Sequence, residues 1–580
     1  MLGLRFAAFC LAVTLAAPCR ILAQGQPSGS VSGHGFSSLN EVNTANVGAL
    51  KLAFSFRTGS SGAHTSAPLA AGGMLLVLTP FPHTLFALDL ARPGASVKWH
   101  YTPAADGIAN GLTCCAAATG GVAVARDRVF LNTLDGHTVA LNLESGRKEW
   151  DVAVAQPEAG EVLTTAPLPV KTEIVIGSSG DDSGARGWVA ALDAATGRQR
   201  WKFFSTGPDK DVGIDARFHG RYEGADPVDR GVSTWPASAW QQGGGGLSGQ
   251  PVYDAALNLL LYQTGHPAPW NPDQRAGENR WTSGIFARDP DTGSARWFDP
   301  INPHDLYALG ATGGIILADQ TAAGTTRGLL LHPDGNGYLY VLDRPTGEML
   351  RADPLDPINA TRGVDLATGR LLRDSRYAIS PGSVVRDICP AWPAGSNAQP
   401  AFSPTTGLIY IPESLLCMDM EATATSYMSG TLFAGADVRL KAERGRSGGA
   451  LVGWDLKSGH RAWIVPEEFP LRGGVLATAG GLVFYGTLDG TFKAVDAKTG
   501  RLLWQFHTTS GIVGRPASYM GPEGRQYVAV LSGSGGLTGT ASDKEVDARD
   551  ATAARGLASA LRKLPPPQDR SGTLYVFKLP

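Results

Sequence analysis

Long apolar runs are almost missing from this 580-residue chain. The one that stands out extends from Phe6 to Ala17, behind Arg5 and ahead of Ala23-Gln24. A basic residue, a short apolar stretch and a small residue before a cut describe a secretory leader. Residues 1–23 therefore read as a signal peptide and 24–39 as a flexible mature N-terminus. The run is too short to cross a bilayer, which takes about 20 residues, and nothing later is longer. No transmembrane segment is expected, and export places the chain in the periplasm. A lipoprotein anchor at Cys19 is disfavoured by Pro18, which stands where such a signal wants Gly or Ala. Charge excess is missing too: a net charge of −2 excludes a general electrostatic pull toward nucleic acid or anionic membrane. Small molecules or another soluble protein remain as partners. Cysteine is scarce, and of the six only Cys114, Cys115, Cys389 and Cys417 lie beyond the leader. An even number in an oxidising compartment suggests two disulfides, yet two of the four are neighbours in "GLTCCAAATGG".

What the chain does have is glycine, proline and a repeat. With 74 glycines and 38 prolines, turns are frequent and long helices are not expected to dominate. "ALNLESGRKEW" ends at Trp150, "ALDAATGRQRW" at Trp201, "RDPDTGSARW" at Trp297, "GWDLKSGHRAW" at Trp463 and "AVDAKTGRLLW" at Trp504. In each, Asp or Asn stands eight residues before the Trp and Gly four before it. "VLDRPTGEMLR" keeps the spacing with Arg351 in place of Trp, and "ALDLARPGASVKW", ending at Trp99, is a looser copy. Each copy reads as strand, turn, strand: the acidic side chain accepts backbone N–H groups and the Gly takes a positive φ. "TLDGHTVALN" and "TLDGTFKAVD" add Asp-Gly hairpin signals between alternating runs. A four-stranded unit of this kind cannot bury both faces alone, and radial stacking of such units makes a β-propeller. The expectation is all-β: one eight-bladed propeller over 40–580, its last blade closed by "LKLAFSFRTG" and "GTLYVFKLP" from the two chain ends. The alanine-rich, charged stretch 541–564 reads as a helical insertion.

The Trp repeat, the Cys114-Cys115 pair, "TPFPHTLFALDL", "GSSGDDSGARG", "GHPAPWN" and "ATAGGLVFYGTLDG" together resemble methanol and ethanol dehydrogenases that depend on pyrroloquinoline quinone (PQQ). The resemblance runs in consistent order from about Leu39 to the C-terminus. It implies a protein that oxidises a small primary alcohol to its aldehyde and passes electrons to a soluble cytochrome c. It also implies that Cys114 bonds Cys115 in a strained ring against the quinone, and that Cys389 bonds Cys417. The second bond would close a loop worth about 3 kcal/mol in chain entropy. Thr164, Ser179 and Gly180 match residues that hydrogen-bond the quinone's oxygens. Asp182 falls where the family has a metal-binding Glu, in a site that holds Ca²⁺.

Elsewhere this sequence departs from the pattern. The family's general-base Asp is Ala308, and its metal-binding Asn is His266, whose imidazole favours a transition metal over Ca²⁺. The Trp that stacks on the quinone is Ser248. Gly120 and Gly335 replace two basic residues, and Thr65, Ser414 and Arg472 replace a Glu, an Asn and a Trp. Arg472 would return one positive charge to a ligand that carries three carboxylates. Asp305 is the nearest substitute base in sequence, or else a loop-capping residue. Two readings stand: an exported quinoprotein alcohol dehydrogenase, or a non-catalytic propeller of that lineage that binds a ligand or a protein. The outer-membrane assembly propellers share the Trp repeat, but the paired cysteines and the poor anchor signal argue against them.

Overall fold

Glycine turns and β-branched, alternating runs leave little room for helix, and the computed structural model is accordingly built almost wholly of strands. It describes residues 35–92, 94–104, 120–222, 229–322, 325–355, 358–391, 398–442, 447–534, 561 and 563–580. The described strands form seven four-stranded sheets, one of five strands, one of three and one of two. Most four-stranded sheets are consecutive antiparallel meanders, such as Glu173–Gly177 pairing with Trp188–Asp193 and that strand with Gln199–Phe204. Central strands such as Met74–Leu78 are buried at every residue, whereas last strands such as Leu502–His507 alternate between exposed and partly buried. Among the described residues no helix is long and apolar enough to cross a membrane.

The repeat is the joint between neighbouring sheets. The indole of Trp150 donates to the carbonyl of Ala194 in the next turn, Trp201 to Pro290, Trp99 to Leu143 and Trp463 to Ala497. The repeat glycine of each receiving turn lies flat under the ring: a Cβ added at Gly197 would be 2.8 Å from Trp150, and one at Gly146 2.6 Å from Trp99. Arg351, the exception in the sequence, preserves the joint by donating from Nη2 to the Leu456 carbonyl at 3.1 Å. The turn itself is closed by its acid, as at Asp193, whose Oδ1 accepts from Ala195 N, Thr196 N and Thr196 Oγ1. Gly197 has φ +72° and no room for a methyl group. Gly197→Ala should therefore cost about 1–3 kcal/mol, read as a lower midpoint in denaturant unfolding with the strand signature intact. A loss within error would mean that the joint does not depend on the glycine.

Both chain ends enter the sheets. Lys51–Arg57 pairs antiparallel with Thr573–Lys578, beside Gln526–Ser532 and Ala517–Met520. Phe36–Ser37, inside the stretch read from sequence as flexible, instead pairs in parallel with Leu476–Thr478, so paired structure starts before residue 40. Residues 1–34 lie outside the described residues, as does most of the expected helical insertion; Leu561 and Lys563 at its far end are turn. A further pair of small sheets, Thr361–Asp365 with Arg370–Arg373 and Val384–Ile388 with Leu416–Ala422 and Ala436–Ala442, interrupts the meander. Cys389 and Cys417 are bonded there.

Candidate functional site

In a meander of four strands the direction alternates, so second-to-third connections and the links from one sheet to the next emerge at the same end. The candidate residues sit on those connections or at strand ends beside them. Asp182 follows Glu173–Gly177, His266 follows Leu259–Thr264, and Gly335 lies between Thr325–Pro333 and Tyr338–Asp343. Thr65, Gly120, Thr164, Asp305 and Arg472 are on links between sheets, and Ser248 and Ser414 are at strand ends. Residues far apart in sequence thus share the same kind of connection.

The contacts pass from one sheet to the next. Gly120 N donates to the Thr164 carbonyl at 2.7 Å, and the hydroxyls of Thr164 and Ser179 are 2.7 Å apart. Ser179 Oγ also donates to the Leu247 carbonyl, next to Ser248, which pairs with Gln263. Gly180, at φ +123°, starts the turn that carries Asp181 and Asp182. A Cβ at Gly120 would lie 2.3 Å from Ala166 N, so no side chain fits where the resemblance places a basic residue. Gly335 and Ser414 line a cavity of about 110 Å³ together with Thr312, Asp334 and Glu413. Arg472 follows Leu471, whose N–H donates to the Glu413 carbonyl. Gly514 then lies against Gly473 on one side and Thr65 on the other.

The acid cluster is the most closely tied part. His266 Nε2 donates to Asp182 Oδ1 at 3.1 Å, and Trp270 Nε1 donates to the same oxygen at 3.1 Å. Burial alone would depress the imidazole; its bond to Asp182 and the charges of Asp182, Asp181 and Asp305 outweigh that and hold it up to about 9. Asp181, which the sequence reading passed over in favour of its neighbour, accepts from Gly246 N at 2.5 Å. Crowding by the surrounding loops strips water from its carboxyl and pushes it up to about 6, against the pull of His266 and the Gly246 and Gly245 N–H groups. Adjacent acids in a glycine-rich turn were the available signal.

Asp305 is 2 % exposed, and its carboxylate is occupied by its own loop. Oδ1 accepts from Tyr307 N at 3.0 Å; Oδ2 accepts from Gly310 N at 2.7 Å and Ser283 Oγ at 3.3 Å. The capping role is thus present, with both carboxylate oxygens accepting from the surrounding loops. Ala308 is buried in an apolar cluster with Trp270, Leu309, Ile388, Met418 and Met420, contributed in part by the disulfide-bearing sheet. A carboxylate at 308 would have to be buried among them. Cys114 and Cys115 lie outside the described residues.

Two guanidiniums, of Arg472 and the partly buried Arg515, lie on links between sheets that touch at Gly473 and Gly514. Arg472 is 5 % exposed, with Nη2 lacking a hydrogen-bond partner among the described residues, and burial lowers it to about 10. Arg515, not singled out from sequence, runs along Gly474 and donates from Nη2 to the Pro400 carbonyl. Burial lowers it likewise to about 10, so both stay charged at neutral pH.

The model for the β-propeller domain of PQQ-dependent glucose, ethanol and alcohol dehydrogenases matches residues 26–359 and 464–528. The chain is 39% identical to the lanthanide-dependent methanol dehydrogenase of Methylacidiphilum fumariolicum, over 94% of this chain and 90% of that one. It is 38% identical to subunit 1 of methanol dehydrogenase (cytochrome c) from Methylobacterium organophilum, over 95% and 90%. A solved europium-containing methanol dehydrogenase superposes with a TM-score of 0.90 at 38% identity, covering 95% of this chain and 97% of that one.

Proposed function

Because the chain belongs to the PQQ-dependent dehydrogenase β-propeller family, we propose that it is an exported, periplasmic quinone-binding propeller that no longer oxidises alcohols by base catalysis. The observation that carries this is the pair Ala308 and Asp305: a methyl group in an apolar cluster where a base is needed, and a neighbouring carboxylate engaged by its own loop. Eight of the sheets act as blades, closed by the strand pair from the two chain ends. The other reading, an active dehydrogenase passing electrons from a primary alcohol to cytochrome c, rests on the family alone.

The centre suits a carboxylate-bearing ligand. Arg472 Nη2 is a buried donor with no acceptor among the described residues, the kind of atom a carboxylate satisfies. The Thr164 hydroxyl, bonded to that of Ser179, would turn toward a quinone oxygen, while Ser179 also donates to the Leu247 carbonyl. Arg515 adds a second charge, and a Cys114–Cys115 disulfide would face the ring. PQQ, when bound, supplies reversible two-electron redox chemistry. The protein's part is to bind it, orient it and exclude water.

The test is binding. The purified protein incubated with PQQ, desalted and denatured should release quinone, identified by its absorbance. Arg472→Gln should weaken binding about 10- to 100-fold, the equivalent of one charge-assisted hydrogen bond. Unchanged affinity in Arg472→Gln, or no quinone retained by the wild type, would contradict the proposal.

A further inference from the structure

We infer that the His266 side chain, bonded to Asp182 and enclosed with Asp181 and Asp305, takes the place of a metal ion, so that the centre of this propeller holds no resident metal. The inference goes beyond quinone binding and does not depend on it.

A hard cation such as Ca²⁺ needs six to eight oxygen ligands. Among the described residues no group of three or more His, Cys, Asp or Glu side chains converges in a way that could hold an ion. Each of the carboxylates present already accepts from protein donors. Asp182 Oδ1 receives both His266 Nε2 and Trp270 Nε1, each at 3.1 Å. Asp181 Oδ1 is held by Gly246 N, and its Oδ2 packs so closely on Gly265 that an added Cβ there would lie 1.8 Å away, leaving no room on that side. Asp305 has Tyr307 N and Gly310 N on its two oxygens.

The imidazole fits this surrounding as a donor and not as a ligand. Nε2 points at a carboxylate oxygen, and Nδ1 faces the Pro267 carbonyl at 3.3 Å. A nitrogen that donates a hydrogen bond has no lone pair to give a metal. The same geometry disfavours a transition metal, for which imidazole would otherwise be a good ligand. The Trp270 ring, edge-on to His266 with centroids 6.0 Å apart, holds the imidazole in position. An Asn at 266 would present a neutral carbonyl oxygen and relieve Asp182 of one donor, so the single change to His converts a ligand pair into a hydrogen-bonded pair.

The test uses the full-length mature protein, dialysed against chelator and then equilibrated separately with Ca²⁺, Tb³⁺ and Zn²⁺. After desalting, metal is counted by mass spectrometry, and Tb³⁺ is also read by luminescence excited through Trp270. The wild type should retain none of the three. His266→Asn should bind Tb³⁺ at least about tenfold more tightly, the lower end of the change seen when a group that orients metal ligands is altered. One equivalent of any of these ions retained by the wild type would overturn the inference, and this arm stands even if the variant fails to fold. A folded His266→Asn protein with no gain in Tb³⁺ would overturn the assignment of His266 as the replacing group.

Discussion

Adding methanol, ethanol or a longer primary alcohol to the PQQ-loaded protein should reduce neither a dye acceptor nor cytochrome c above the rate given by free PQQ. The expectation follows from what a proton acceptor contributes. General-base catalysis typically supplies about 10²–10⁴-fold, and the methyl group of Ala308 accepts no proton. Asp305 does not easily replace it, because its two oxygens already accept from the Tyr307 and Gly310 N–H groups that shape its loop, and a proton gained by either oxygen would compete with one of those bonds. Leaving such buried donors unsatisfied costs about 1–3 kcal/mol each. Ala308→Asp alone should not restore turnover either: the new carboxylate would enter the cluster of Trp270, Ile388, Met418 and Met420, and the protein should lose stability. Alcohol-dependent turnover in the wild type that disappears in Asp305→Asn would show the opposite, with Asp305 acting as the base.

A second large effect is expected in acid. His64 and His83 are both about 1% exposed, and burial pushes each imidazole down to about 4. His83 Nε2 accepts from Leu134 N at 3.2 Å, which requires a neutral ring. His64 Nδ1 faces the Gly62 carbonyl, and Gly533 and Gly572 pack against its ring. In the unfolded chain both titrate near the ordinary histidine value of about 6.5. Each therefore contributes stability that is fully present above that pH and is lost as the pH falls toward 4. The loss is about 3 kcal/mol per residue. Asp181 and Asp299, raised by burial to about 6 and about 7, act in the opposite sense over the same range. They are common to both proteins in a comparison of the wild type with a His64→Gln, His83→Gln double variant. Urea unfolding at pH 7 and pH 4 should show the wild type losing about 6 kcal/mol more than the variant. Equal losses would mean that the two rings become charged without opening the fold.

How far the sequence speaks for itself differs between scaffold and centre. The Trp–Gly joint was legible because one turn recurs at fixed spacing, and its chemistry is local: an acid, a glycine and an aromatic ring a few residues apart. Even the Arg351 copy was readable as part of the series, although only the structure shows its guanidinium on the Leu456 carbonyl. The small sheet of Val384–Ile388, Leu416–Ala422 and Ala436–Ala442 carries no such repeat. Its apolar face is meaningful only beside Trp270 and Ala308, which are distant in sequence. The same limit applies to the acids. Asp182 and His266 could be singled out by resemblance, but whether they point at an ion or at each other depends on loops from two sheets. Asp181 was hidden beside Asp182, and Arg515 lay in a glycine-flanked link with no pattern of its own.

The most direct measurement separates binding from chemistry. One equivalent of PQQ is bound to the protein under anaerobic conditions, and its absorbance spectrum is recorded before and after excess ethanol, with no electron acceptor present. If the centre binds quinone but has lost its base, the spectrum stays that of the oxidised quinone. Conversion to the reduced form by the alcohol would contradict the account.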